Sequence, residues 1–303
     1  MAKILITGGT GLIGKELIPI LIQKGHEVAL LSRKSGIFRV NNLEIKKFKW
    51  NPEKSEIDKN ALLEIDYIIH LAGKNLLCRW TKKNKSKIIQ SRVNGAQLLI
   101  NTIKEENINI KKFISAGGIG YYSETHGKAV SEHENPGKDF PAIVCQKWEN
   151  VLDDLETVNI KKCIFRLGVV LSSKGGAYKT MKKPFSLGLG AAVGNGKQFF
   201  PWIHIKDVTK AFLQSIEDED TFGVYNLCSP GQCSNAYFSQ SLAKSLRKPF
   251  FMPNTPAFLL RLMFGKNSIL LTTGIRASLD KILNTGFAFD FADLDSALID
   301  LKQ

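Results

Sequence analysis

Thr7-Gly8-Gly9-Thr10-Gly11-Leu12-Ile13-Gly14 sets three glycines, Gly8, Gly11 and Gly14, directly behind a short apolar run. That spacing suits a phosphate cradle. One glycine permits a tight turn, one lets backbone approach a pyrophosphate, and one lets a helix pack closely on a strand. A purely structural turn would use the same residues, so the flanking elements must decide between the two. About 20 residues on, a dinucleotide-binding chain that selects a free ribose 2′-hydroxyl places a carboxylate. Here the chain reads Ser32-Arg33-Lys34. A hydroxyl followed by two cations matches a 2′-phosphate, because a guanidinium pairs with phosphate and stacks on adenine. The expected cofactor is NADP in preference to NAD; the alternative is two solvent-facing cations in a Lys-rich chain. Leu71-Ala72-Gly73 offers small residues where backbone would pass close to the dinucleotide.

The elements that must position these residues are legible as strand, loop and helix in alternation. Residues 3–7 form an apolar run ending at Gly8, and 12–24 read as a helix closed by Gly25. Further strands are expected at 27–31, 66–71, 112–115, 163–171 and 223–227, with helices at 83–104 and 144–155. Short, nearly continuous apolar strands between helices imply an α/β fold: a Rossmann-type doubly wound parallel sheet with a smaller, mostly helical C-terminal domain. The expected partition is 1–171 with 201–228 for the dinucleotide domain, and 172–200 with 229–303 for the smaller one. The Gly-rich loop 188–196, with Lys197 and Gln198, is the expected lid.

Composition narrows the classes. The 303 residues are 44% hydrophobic and 23% charged, ordinary for a folded soluble chain. No apolar run approaches the ~20 residues that span a bilayer, and no secretory leader is read at the start, so a cytoplasmic protein without a membrane partner is expected. Five cysteines without ligand spacing suggest reduced thiols and no metal site. The net charge of +14 favours anionic partners. Without interleaved aromatics a nucleic-acid groove is not expected, and a small anionic substrate is.

With these motifs in place, the chain resembles the extended short-chain dehydrogenase/reductase superfamily, in its atypical epimerase branch of nucleoside-diphosphate-sugar epimerase-like proteins with a C-terminal domain of unknown function. Residues 7–14, Leu71 to Gly73, Arg79-Trp80-Thr81, Ser91-Arg92, Gly120-Tyr121-Tyr122, Trp148-Glu149, Arg166 to Leu171 and Pro201-Trp202-Ile203-His204 carry the resemblance. It implies an epimerase- or reductase-like activity on a nucleotide-sugar-like or phosphorylated substrate, Ser115 and Arg166 beside the cofactor, and a homodimer. The superfamily's Tyr-x-x-x-Lys pair is missing: registered on Glu149, its Lys falls on Cys145 and its Tyr on Pro141. The serine nearest the expected chemistry is replaced by Gly117.

An enzyme on this frame needs another acid. Tyr121 and Tyr122 are candidates if a cation such as Lys147 lowers a phenol, against a packing role for both. Cys145 is a third, against a buried hydrophobe. Arg79, Trp80 and Arg92 suit an anionic substrate, and Trp202 and His204 could touch it. Asp207 is the expected N-cap of the helix that follows. A non-catalytic NADP-binding sensor or interaction protein is the alternative.

Overall fold

The computed structural model describes residues 1–302. β1 (Lys3–Thr7) is buried almost throughout, as a strand with neighbours on both sides and cover on both faces must be. It pairs in parallel with β2 (Glu27–Ser32) on one side and, skipping β3 (Gly36–Val40), β4 (Leu43–Asn51) and the short β5 (Glu56–Ile57), with β6 (Tyr67–His70) on the other. Beyond β6 come β7 (Lys112–Gly118), then, past the short β8 (Ala129–Val130), β9 (Lys161–Leu167). β10 (Val169–Leu171), β11 (Phe199–Phe200) and β12 (Trp202–His204) lie outside this sheet, and β13 (Gly223–Leu227) ends it. The order is β13-β9-β7-β6-β1-β2-β4-β3, parallel except where β3 and β5 pair with β4. Chain order reverses between β1 and β6, the crevice where open α/β sheets bind ligands.

Helices cover both faces. α1 (Leu12–Gln23) lies on one face; α2 (Lys82–Glu105) and α3 (Phe140–Val151) follow, then α4 (Gly176–Ser186) and α5 (Ile205–Glu217). Leu17, Ile18 and Leu21 of α1 join Val208 and Phe212 of α5 against Ile4 and Ile6. Opposite, Leu99, Ile100 and Ile103 of α2 pack on Leu5, Ile68 and Phe113. A third cluster joins Tyr178 and Phe185 of α4 and Trp202 to Phe238 and Leu242 of α6 (Asn235–Ser245) and Leu298 near the C-terminus. α7 (Ala257–Phe264) buries only Leu260.

Four expectations change. The single strand read at 163–171 breaks at Gly168, since β10 leaves the sheet to pair with β12. β3 and β4 were not expected: near the sheet edge, Lys46, Lys47 and Lys49 give β4 a polar composition that hides its pairing. Asp207 does not cap α5, because the helix starts earlier: His204 Nδ1 accepts from Lys206 N, while the Asp207 carboxylate accepts from Asp290 N at 2.7 Å and Phe291 N at 3.2 Å. The 188–196 loop is pinned, with Asn235 Oδ1 accepting from Val193 N and Thr255 O from Gly194 N. α4, and not this loop, lies against the glycine turn.

Candidate functional site: a glycine-loop cleft

The three glycines divide the work that their spacing suggested. Gly8 takes φ +69°, and a Cβ there would stand 2.8 Å from the Ala72 amide nitrogen, so the turn lies directly on the chain leaving β6. A Cβ on Gly14 would overlap the Gly9 backbone at 2.4 Å, which keeps α1 tight on the loop. Gly11 is the open position, where a Cβ would meet only Gly8 O. Gly11 also stands at the N-cap of α1 without a side-chain cap, and no carboxylate lies in the first helical turn. Unpaired amides and the positive end of the helix dipole therefore face outward, the arrangement that holds phosphate.

The loop is braced from beneath. Thr7 Oγ1 accepts from Ala72 N at 3.3 Å and lies 2.8 Å from His70 Nδ1, tying β1 to β6 at the crevice. Burial holds the His70 imidazole down to about 3, so it is neutral.

A cavity of about 690 Å³ opens above the loop, within the ~300–1,000 Å³ of ordinary ligand sites. Gly8, Gly11, Leu12, Ile13, Gly14, Leu71 and Gly73 form one wall; Val169, Val170 and α4 residues Gly176, Ala177, Lys179, Thr180 and Lys183 form the other. Gly176, at φ +68°, brings α4 so close that a Cβ there would stand 2.9 Å from Leu12 Cδ2. Lys174 anchors this wall to α1 through Glu16 at 2.6 Å. At the end of β2, Arg33 and Lys34 are exposed, and neither pairs with a carboxylate among the described residues. Ser32 Oγ donates to Lys34 O, and Thr10 is exposed on the turn.

Past β7 sits a buried ionic knot. Arg166 donates Nε to Glu149 Oε1 at 2.9 Å and Nη2 to Oε2 at 2.7 Å, a bidentate pair between β9 and α3. Its Nη1 donates to Tyr122 Oη at 2.7 Å and to Glu132 O. Burial pulls the guanidinium's pKa down, but the hydrogen bonds and charge of Glu149 outweigh it and hold the group firmly charged. Arg166 was expected to touch cofactor; its donors are instead spent inside the protein. The Tyr122 hydroxyl also faces Ser131 O and Asn226 Oδ1, both at 2.9 Å, and burial pushes it up to about 12 despite Arg166. It is therefore a structural phenol and a poor acid. Tyr121 differs: its ring lies 3.5 Å from the Arg166 guanidinium carbon and its hydroxyl donates to no protein group among the described residues. The cation beside the tyrosines is thus Arg166, while Lys147 is exposed on α3.

Other expected site residues are distributed unevenly. Cys145 is buried beside Gly118, and burial, then Glu149, raises its thiol to about 12, which favours the protonated thiol over a thiolate. Ser115 is fully buried and its hydroxyl donates to Ala116 O. Trp202 and His204 are 0% exposed, enclosed by protein. Trp202 Nε1 donates to Gly231 O, and the His204 ring lies on Phe291 and is lowered to about 4 by burial. Arg92 is buried behind Gly73, donating to Lys74 O and Ile88 O, with no carboxylate partner among the described residues. Trp80 packs on Phe140, and Arg79 is exposed. Lys179, Lys183 and Asn75 were missed: their lysine-rich or polar context reads as solvated surface until α4 is folded over the loop. No His, Cys, Asp or Glu cluster able to hold a metal occurs among the described residues.

Comparison with known proteins agrees with this geometry. Residues 4–228 match the model of the NAD dependent epimerase/dehydratase family, and 255–301 match a domain of unknown function, DUF1731. The mouse epimerase family protein SDR39U1 is 34% identical over 304 residues, covering 99% of each chain. Epimerase family protein YfhF of Bacillus subtilis is 31% identical over 300 residues, covering 99% of this chain and 97% of its own. The crystal structure of human SDR39U1 with NADPH superposes with a TM-score of 0.87 at 31% identity, over 99% of this chain and 98% of that one. A nucleoside-diphosphate sugar epimerase from Corynebacterium glutamicum superposes at 0.78 with 27% identity, over 98% of this chain and 57% of that one.

Proposed function

Because the chain belongs to the NAD dependent epimerase/dehydratase family, we propose that it binds NADP on the glycine loop and uses it on a small anionic substrate of the nucleotide-sugar or other phosphorylated class. The observation that carries this reading is the open Gly11 turn at the foot of a 690 Å³ cavity. The α1 amides would take the pyrophosphate, and the unpaired Arg33, with Ser32 and Lys34, would take the 2′-phosphate. A bound nicotinamide supplies hydride exchange at a carbon that carries oxygen. The human relative's crystal structure with NADPH supports the choice of NADP.

For the substrate, Arg92 is a buried guanidinium with no carboxylate of its own, suited to an anionic group arriving beside Gly73. Arg79 and Trp80 would flank the entrance. Tyr121 is the acid this geometry favours, because its hydroxyl is free and a guanidinium lies on its ring. Residues 1–171 with 201–228 would form the cofactor unit, and the remainder the substrate side.

Fluorescence titration with NADPH and NADH tests the cofactor. NADPH is expected to bind more tightly than NADH; Arg33→Asp should erase that difference, and Gly11→Asp should abolish binding of both. Equal loss of the two cofactors in Arg33→Asp would remove the NADP assignment, and unchanged binding in Gly11→Asp would remove the loop assignment. A second reading, a non-catalytic NADP-binding protein, is favoured by one observation: Tyr122, Cys145, His70 and His204 are all buried and neutral.

A further inference from the structure

The net charge of the chain is concentrated in one region. Residues 172–200 and 229–279 together hold eleven Lys and Arg and no Asp or Glu, which leaves the rest of the chain close to neutral. Among the described residues, only Lys174 of these eleven pairs with a carboxylate. Such a region repels itself and attracts polyanions.

Within it, α7 shows the opposite of a folded helix's usual arrangement. Its sequence, AFLLRLMF, is strongly apolar, yet Phe258 is 73% exposed, Leu262 81% and Met263 64%. Phe258 and Leu262 are four residues apart, on one helical face. Leu187 and Phe251 are also about three-quarters exposed. Their segments run side by side: Phe185 stacks on Phe250, and Gly194 N donates to Thr255 O. Cations are interspersed, with Arg261 inside α7, Lys266 just after it, and Arg247 and Lys248 before it. Exposed apolar patches of this kind mark interaction surfaces.

We infer that this face docks on the surface of an anionic lipid bilayer, with α7 lying in the headgroup boundary. Apolar side chains flanked by Lys and Arg are what such a surface selects: hydrocarbon receives the former, and anionic headgroups the latter. A second copy of this chain is the weaker occupant, since it would bring two uncompensated cationic regions together. A nucleic acid would use the cations but leaves exposed Leu262, Met263 and Leu187 without a role. No helix among the described residues is long and apolar enough to cross a membrane, so the contact is peripheral.

Sedimentation of the full chain with vesicles of phosphatidylcholine, with and without phosphatidylglycerol, tests this. The protein is expected to pellet with the phosphatidylglycerol vesicles only, and less as salt is added. Phe258→Ser with Leu262→Ser should weaken partitioning by about tenfold or more, from the lost apolar burial. Arg261→Glu with Lys266→Glu should abolish it. All four side chains serve no site described above, and unchanged melting temperatures would show that the variants are folded. Failure to pellet with anionic vesicles overturns the inference. So does pelleting that Phe258→Ser/Leu262→Ser leaves unchanged: if duplex DNA also displaces the vesicles, the region is a general polyanion site. A dimer in solution that the serine variant dissociates, without vesicle binding, would assign the face to a second copy.

Discussion

Tyr121 and Tyr122 are adjacent in sequence and opposite in chemistry. Tyr122 is held by Arg166 and faces two acceptors, and burial raises its phenol to about 12; Tyr121 keeps its hydroxyl free. Once turnover is found, Tyr121→Phe should lower kcat by about 10²-fold or more, as loss of a general acid does. Tyr122→Phe should chiefly lower stability, because it removes a buried hydrogen bond. A rate unaffected in Tyr121→Phe would favour the non-catalytic reading. The two buried histidines predict a pH dependence. His70 at about 3 and His204 at about 4 remain neutral in the folded chain while the unfolded chain protonates both below about 6.5. Their folded values are depressed, so stability falls as pH drops below the unfolded value. Between pH 6.5 and 5 each should cost about 1.5 kcal/mol. Urea unfolding across that range checks this, and His70→Asn should flatten the slope.

At the scale of elements, the Arg166–Glu149 pair joins β9 to α3 with side chains that are almost wholly buried. Removing one partner strands the other, so Glu149→Met should destabilise by about 3–5 kcal/mol. Glu149→Met with Arg166→Met should recover part of that loss, as urea unfolding of both variants would show. A double variant no more stable than the single would mean that the stranded Arg166 charge is not what weakens the single variant. Another buried cation serves a helix end. Lys112, at the start of β7, donates Nζ to Ser215 O, Asp218 O and Thr221 O, satisfying carbonyls where α5 ends. Its position in a sequence stretch of paired lysines, Lys111-Lys112, reads as solvated surface; only the packing of α5 behind β7 separates the buried lysine from its exposed neighbour.

For the molecule as a whole, the glycine loop, β6 and α4 meet only in the folded state, so a ligand in the cleft should stabilise the fold. At a hundredfold excess over Kd, NADPH should add about 2.7 kcal/mol and raise Tm by several degrees. NADH at the same concentration should raise it less, and Gly11→Asp should remove both shifts. Thermal denaturation with each cofactor checks this.

Much of the architecture could be read from local patterns. The run ending at Gly8, the glycines at 11 and 14, and Gly25 closing α1 are short-range features whose backbone requirements are carried by the residues themselves. The β1, β2, β6, β7 and β13 runs declare themselves because strands covered on both faces are apolar along their length. The family resemblance extends this reading across the chain. What the sequence could not decide depends on long-range company. Whether Arg166 meets a cofactor or Glu149, whether His204 faces substrate or Phe291, and whether Lys183 faces solvent or the glycine turn are settled by elements far apart in the chain. The strand β4 was hidden because lysines near a sheet edge satisfy solvent while their backbone pairs. Local sequence dictates turns, periodicity and burial tendency; tertiary packing assigns each charged or titratable side chain its partner, and with it its chemistry.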